Sequence, residues 1–298
     1  MEHNNILITG AHRSGTTWTG KVLATATELR YVQEPFNVAI SRYKQPFTQW
    51  YKYVSVHSPA HEQDQVHNYL KKFTSLQPKH LFTSLTKANS LKGYYYALGD
   101  IKNRVTHRTL FKDPLLLFSA PWFQEKMDSK VVVLVRHPAA FIASLKVKDW
   151  QFDFTNFQSQ PLLMERELSS FASEIEEFAT TKKDIVAQGI VLWNILNHYV
   201  LKRGSENLPG WYFLRHEDLS TQPVVEFKKL CDFLDIEYSN KMHAKIIETT
   251  TGKGPKERQR DSKQNISTWK TRLEPEEIER IKEGTQPIWP HFYTEEDW

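Results

Sequence analysis

The residues best suited to chemistry lie near the start of the chain. Gly10-Ala11-His12-Arg13-Ser14-Gly15 follows the apolar run Ile6-Leu7-Ile8 and precedes Thr16–Thr27, which reads as a helix. Glycines at both ends let the backbone curl tightly, so that its N–H groups converge on one anion. The helix N-terminus beyond adds uncompensated N–H donors and a partial positive charge. A loop that grips a nucleoside triphosphate needs Lys after its second glycine, then Ser or Thr for magnesium. Thr16 stands in the lysine position here, and the cation is Arg13, inside the loop. The pattern suits a single 5′-phosphate group rather than a metal-bridged triphosphate.

A second anion site is written into Arg136-His137-Pro138, which ends the run Val131–Val135, and into Ser144 eight residues after Arg136. Arginine leaving the C-terminal end of a parallel strand is where α/β sheets bind ligands. Ser144 lies about two turns into the helix that Pro138 opens, so both side chains can face one anion. Two softer segments follow strand-like runs: Phe111-Lys112-Asp113-Pro114 and Leu214-Arg215-His216-Glu217-Asp218-Leu219.

Taken together, these motifs resemble the sulfotransferase family that uses 3′-phosphoadenosine 5′-phosphosulfate (PAPS). Arg13-Ser14-Gly15-Thr16-Thr17-Trp18 looks like its 5′-phosphosulfate loop, and Arg136 with Ser144 like its 3′-phosphate motif. The resemblance implies that Arg13 lies near the transferring group and that Trp18 packs on adenine. It also implies that Lys112, in its Lys-Asp-Pro segment, lies close to the sulfuryl group. His216 stands where the family commonly has Tyr near the adenine, and Asp218 reads equally as a turn cap. Residues 251–272 carry seven basic side chains against two acidic ones, ending in Thr268-Trp269-Lys270. Thr268-Trp269-Lys270 resembles the segment after the family's basic cofactor-covering loop, with Lys263 an added 3′-phosphate contact; a solvated charge run explains the stretch nearly as well.

The general base divides the family. Its cytosolic small-molecule branch has a histidine where this chain has Pro114, so that base is missing. The protein-tyrosine branch uses a glutamate after the first helix. Glu34, 21 residues beyond Arg13, fits that position at the end of a short strand from Leu29 to Val32. Pro35 disfavours helical geometry at Glu34 and implies an extended exit. Asp113 is the substitute. The motif pattern stands closest to the protein-tyrosine and carbohydrate branch, and the acceptor is a hydroxyl of a carbohydrate, peptide or small molecule. Competing readings are a P-loop kinase or NTPase, disfavoured by Thr16, and a non-catalytic nucleotide-binding protein.

The elements that must position these groups are those of an α/β domain. Strand-like runs at Asn5–Thr9, Thr109–Lys112, Lys130–Val135 and Trp211–Arg215 alternate with helical stretches. The helices read as Thr16–Thr27, Ala139–Lys146, Met164–Lys202 (broken near Thr181), Val224–Leu234 and Glu274–Glu283. Alternation of this kind predicts a single P-loop-type domain, 1–298, with a mostly parallel sheet flanked by helices. Residues 37–107, rich in Tyr, Phe, His and Lys, read as an insertion of irregular loops and short helices for acceptor recognition. Its aromatics suit stacking on sugar faces or burial equally well.

Composition narrows the class. Hydrophobic residues at 40% support a real core and argue against global disorder. A net charge of +4 is too mild to argue for nucleic acid. One cysteine, Cys231, allows no internal disulfide and no Cys-rich zinc site, and His57 with His61 lacks a third ligand. No metal is expected. Glu2 stands where a signal peptide would be basic, and no uncharged run approaches the ~20 residues of a membrane span. A cytoplasmic location follows as the expectation.

Overall fold

A computed structural model describes residues 5–75, 77, 98–99, 101–104, 108–250 and 266–298. Strand β1 (Asn5–Gly10) leads through the glycine loop into α1 (Thr16–Leu23) and β2 (Leu29–Gln33). Then come α2 (Ala60–Thr74), β3 (Arg108–Lys112), a 3₁₀ segment (Pro114–Ser119), α3 (Ala120–Met127), β4 (Ser129–Val135) and α4 (Pro138–Lys146). Three short helices follow: α5 (Thr155–Gln158), α6 (Pro161–Arg166) and α7 (Ala172–Thr180). The long α8 (Ile185–Ser205) returns the chain to β5 (Trp211–Arg215). Helices α9 (His216–Thr221), α10 (Pro223–Leu234), α11 (Asn240–Thr250) and α12 (Pro275–Thr285) complete the described elements.

The five strands form one parallel sheet in the order β2-β3-β1-β4-β5. Its central strands β1 and β4 are largely apolar on both faces because both faces are covered. Ile6 and Ile8 join Leu110, Val132, Leu134 and Leu214 in a core beneath α1, α10 and α11. Leu7, Phe111, Val131, Val133 and Val135 enter a larger core with α2, α4, α8 and the C-terminal residues Trp269, Ile281 and Trp289. All five C-terminal strand ends therefore open on the same edge, with β1 in the middle.

Two helices differ from the sequence reading. The first ends at Leu23, not Thr27: Thr25 turns its hydroxyl onto the carbonyl of Val22 (2.7 Å), and Ala26 N–H closes a tight turn on Leu23 O (3.0 Å). The break near Thr181 is there, where Asp184 caps α8 by accepting from Val186 and Ala187 N–H (3.0 and 2.9 Å). A second break, before Ala172, separates α6 from α7. Within the 37–107 insertion, α2 buries Val66, Tyr69, Leu70 and Phe73 at helical spacing. Tyr43, Tyr51 and Tyr53 are buried in the core and present no sugar-stacking face.

Candidate functional site

The loop after β1 takes its shape from its glycines. Gly10 has φ of 131°, and a side chain there would run into the Leu134 carbonyl of β4. Gly15 has φ of 90° and caps α1, with the His216 ring filling the space a Cβ would need. Arg13 also lies in the left-handed region (φ 67°) and is exposed at the loop tip, while Ser14 is fully buried. Among the described residues, the Ser14 hydroxyl oxygen has no hydrogen-bond partner. Together with the first-turn N–H groups of α1, it makes a cradle of donors suited to an anion. Thr16 is buried and Thr17 exposed at the helix start.

The second motif closes on the first. Arg13 Nε donates to Ser144 Oγ at 2.9 Å, and Arg136 Nη1 donates to the Arg13 carbonyl at 2.6 Å. Arg136 Nε is buried and, among the described residues, unpartnered. Burial lowers the Arg136 pKa to about 10, the nearby Glu217 carboxylate acting against the shift, so the group stays cationic at neutral pH. On the other side of the loop, Trp18 is edge-on to His216 and to Phe227, with centroids 6.1 and 5.7 Å apart. Its indole N–H donates to Thr249 Oγ1 at 3.0 Å.

Lys112, the last residue of β3, is fully buried and forms an ion pair with Glu34. Glu34 N–H donates to the Lys112 carbonyl (2.8 Å), and Asn37 Nδ2 donates to the second Glu34 carboxylate oxygen (2.6 Å). Glu34 is not extended, as Pro35 suggested, but left-handed, with φ of 44°. That turn continues the β2–β3 backbone pairing for one more bond while placing the carboxylate beside Lys112. Asp113, the substitute base, is wholly buried and accepts from Phe36 N–H (2.6 Å) and Leu115 N–H (2.9 Å). Burial raises its pKa to about 7, the Glu34 charge adds to the rise, and the two N–H groups and Lys112 oppose it. Both its oxygens are committed to shaping the chain.

Along the sheet edge the order is Glu34, Lys112, the Arg13 loop, Arg136 and His216, one group from each strand end. Lys263 lies outside the described residues. Asp218 pairs with Arg215 (2.8 Å) rather than capping a turn. Residues that sequence reasoning passed over also meet here. His12 is buried against Trp150 and Phe141 and hydrogen-bonded to Tyr51 Oη (2.7 Å), fixing the loop from beneath. Its place between Ala11 and Arg13 was the available signal.

The family model for the sulfotransferase domain matches residues 3–296 of this chain. The chain belongs to the sulfotransferase family. It is similar to cytosolic sulfotransferase 7 of Arabidopsis thaliana, with 31% identity over 93 residues, or 31% of this sulfotransferase and 27% of that one. Among solved structures it is similar to the sulfotransferase domain from the curacin biosynthetic pathway, at 18% identity. That match covers 95% of this chain and 97% of that one, with a TM-score of 0.49. It is similar also to a mouse sulfotransferase complexed with PAP, at 13% identity over 97% and 86% of the two chains, TM-score 0.46. Among the described residues of this sulfotransferase, no helix is long and apolar enough to cross a membrane.

Proposed function

We propose that this sulfotransferase moves a sulfuryl group from PAPS to the hydroxyl of an acceptor. The observation that carries the reading is the closure of the two anion motifs on each other, through Arg13 to Ser144 and Arg136 to Arg13. A donor with phosphates at both the 5′ and 3′ positions needs two such groups side by side, and a nucleoside triphosphate does not. The loop N–H groups and the Ser14 hydroxyl hold the 5′-phosphosulfate, Arg136 and Ser144 the 3′-phosphate, and Trp18 and His216 flank the base. The buried, unpartnered Ser14 oxygen and Arg136 Nε support this fit.

Sulfuryl transfer, like phosphoryl transfer, is catalysed mostly by alignment and charge stabilisation. The acceptor oxygen bonds to sulfur as the sulfur–oxygen bond to the 5′-phosphate breaks and that oxygen keeps the electron pair. Arg13 and Lys112 stabilise the charge growing there. Glu34 takes the hydroxyl proton. Its ion pair with Lys112 couples the two roles: a proton arriving on Glu34 frees the Lys112 ammonium for the leaving oxygen. Asp113, with both oxygens held by backbone N–H groups, supports Glu34 as the base by elimination. The glutamate arrangement leans toward carbohydrate or peptide hydroxyls.

Calorimetric titration with adenosine 3′,5′-bisphosphate, without magnesium, tests the reading. Wild type should bind in the micromolar range or tighter, and Arg136→Ala about 10- to 100-fold more weakly, the worth of a charge-assisted hydrogen bond. Magnesium-dependent ATP binding with no bisphosphate binding would return the chain to the NTPase reading.

A further inference from the structure

One carboxylate beside the site has no part in the transfer. Glu217, the second residue of α9, accepts the backbone N–H of His137 (3.1 Å) with one oxygen and the hydroxyl of Tyr293 (2.8 Å) with the other. His137 directly follows Arg136 and caps α4. The Arg136 carbonyl is held by the Trp193 indole N–H at 2.8 Å. The His137 ring lies flat against Trp269 (5.2 Å, 12°) and edge-on to Tyr293 (4.9 Å) and Trp298 (4.4 Å). Arg215, at the end of β5, donates to the Phe292 carbonyl (3.0 Å). Residues 266–298 are thus fastened to the sheet edge at the junction that carries Arg136.

Resting on the reading of Arg136 as the 3′-phosphate group, we propose that Glu217 and Tyr293 are positioning residues that aim Arg136 through the His137 backbone. The physical need is plain. Among the described residues, the Arg136 guanidinium makes one hydrogen bond, to the Arg13 carbonyl, and leaves Nε without a partner. Its aim therefore depends on where the β4–α4 junction holds its backbone. Trp193 fixes that backbone on the carbonyl side, and Glu217 fixes it on the N–H side of the next residue. The hydroxyl of Tyr293 orients the carboxylate, so the C-terminal segment governs 3′-phosphate recognition without touching the nucleotide through these residues. The Glu217 charge also offsets part of the cost of burying the Arg136 cation.

The test compares adenosine 3′,5′-bisphosphate with adenosine 5′-monophosphate, which lacks the 3′-phosphate, on wild type, Arg136→Ala, Tyr293→Phe and the double variant. Tyr293→Phe keeps the ring and removes one hydroxyl. It should weaken the bisphosphate about 3- to 10-fold, the worth of one hydrogen bond, and leave the monophosphate within about twofold. In the Arg136→Ala background the same change should have no further effect, because the group it aims is gone. Glu217→Gln, isosteric and uncharged, should show the same selectivity and serves if Tyr293→Phe folds poorly. Equal loss for both nucleotides, or no loss, overturns the positioning role while Arg136→Ala still discriminates between them. If Arg136→Ala does not discriminate, it is the reading of Arg136 that fails, and the inference falls with it.

Discussion

Glu34 and Asp113 follow the ends of the consecutive, neighbouring strands β2 and β3, and their surroundings differ. Glu34 keeps some solvent access, its side chain 15% exposed, while Asp113 has none. Glu34→Gln should lower kcat by about 10²- to 10⁴-fold, the usual worth of a general base, with bisphosphate affinity unchanged. Asp113→Asn should instead leave one backbone N–H without an acceptor and cost about 1–3 kcal/mol of stability. Steady-state kinetics beside thermal melting separates the two: a kcat collapse in the Asp113 variant at full stability would reverse the assignment.

At the scale of elements, the site depends on how closely β1 approaches β4 and α9. At Gly10 and Gly15 a side chain is excluded by both φ and space. The obstacle at Gly10 is a backbone carbonyl in the central sheet, which cannot step aside. Gly10→Ala should therefore destabilise the fold by about 3 kcal/mol, combining left-handed strain with overpacking. In melting experiments that corresponds to a loss of about 5–10 °C. An unchanged melting temperature would mean that the β1–β4 junction is looser than the structure has it. The Gly15 obstacle is the His216 ring, so strain there would be felt first in nucleotide binding.

For the molecule as a whole, buried titratable groups set the response to acid. Burial lowers His12 and His137 to a pKa of about 3, the charge of Arg13 adding to the effect at His12. At His137, Lys270 and Arg136 add to burial and Asp297 opposes them. Both rings stay neutral in the fold while the unfolded chain protonates below pH ~6.5. Each therefore removes stability as pH falls through that window, at about 1.4 kcal/mol per unit. Asp113, raised to about 7, works the other way between pH ~4 and 7, because the fold holds the proton more tightly than the unfolded chain. The Glu217 carboxyl, also raised by burial, acts with Asp113, while His67 and His198, lowered by burial, act with the two buried rings, and the histidines outweigh the carboxylates. Urea midpoints should fall as the pH drops from 6.5 to 4.5, and His137→Gln should make that fall shallower. A flat wild-type profile would contradict the neutral burial of these rings.

What the sequence determined by itself was local. The strands before the phosphate loop, Lys112, Arg136 and His216 stand within a residue or so of where hydrophobic runs put them, because buried parallel strands leave an unbroken apolar signature. That Thr16 stands where a triphosphate loop needs lysine was legible for the same reason: spacing along one turn is a local property. Helix α2, 15 residues long, was not read from the sequence: Val66, Tyr69, Leu70 and Phe73 carry its period, but dense aromatics around them masked it. Only the tertiary structure decided which groups meet. Arg13 reaches Ser144 across 131 residues, Lys112 reaches Glu34 across 78, and Tyr293 reaches Glu217 across 76. No spacing rule spans such intervals. A parallel sheet supplies the contact instead, since every strand must begin again at the same end and so delivers its last residue to one common edge.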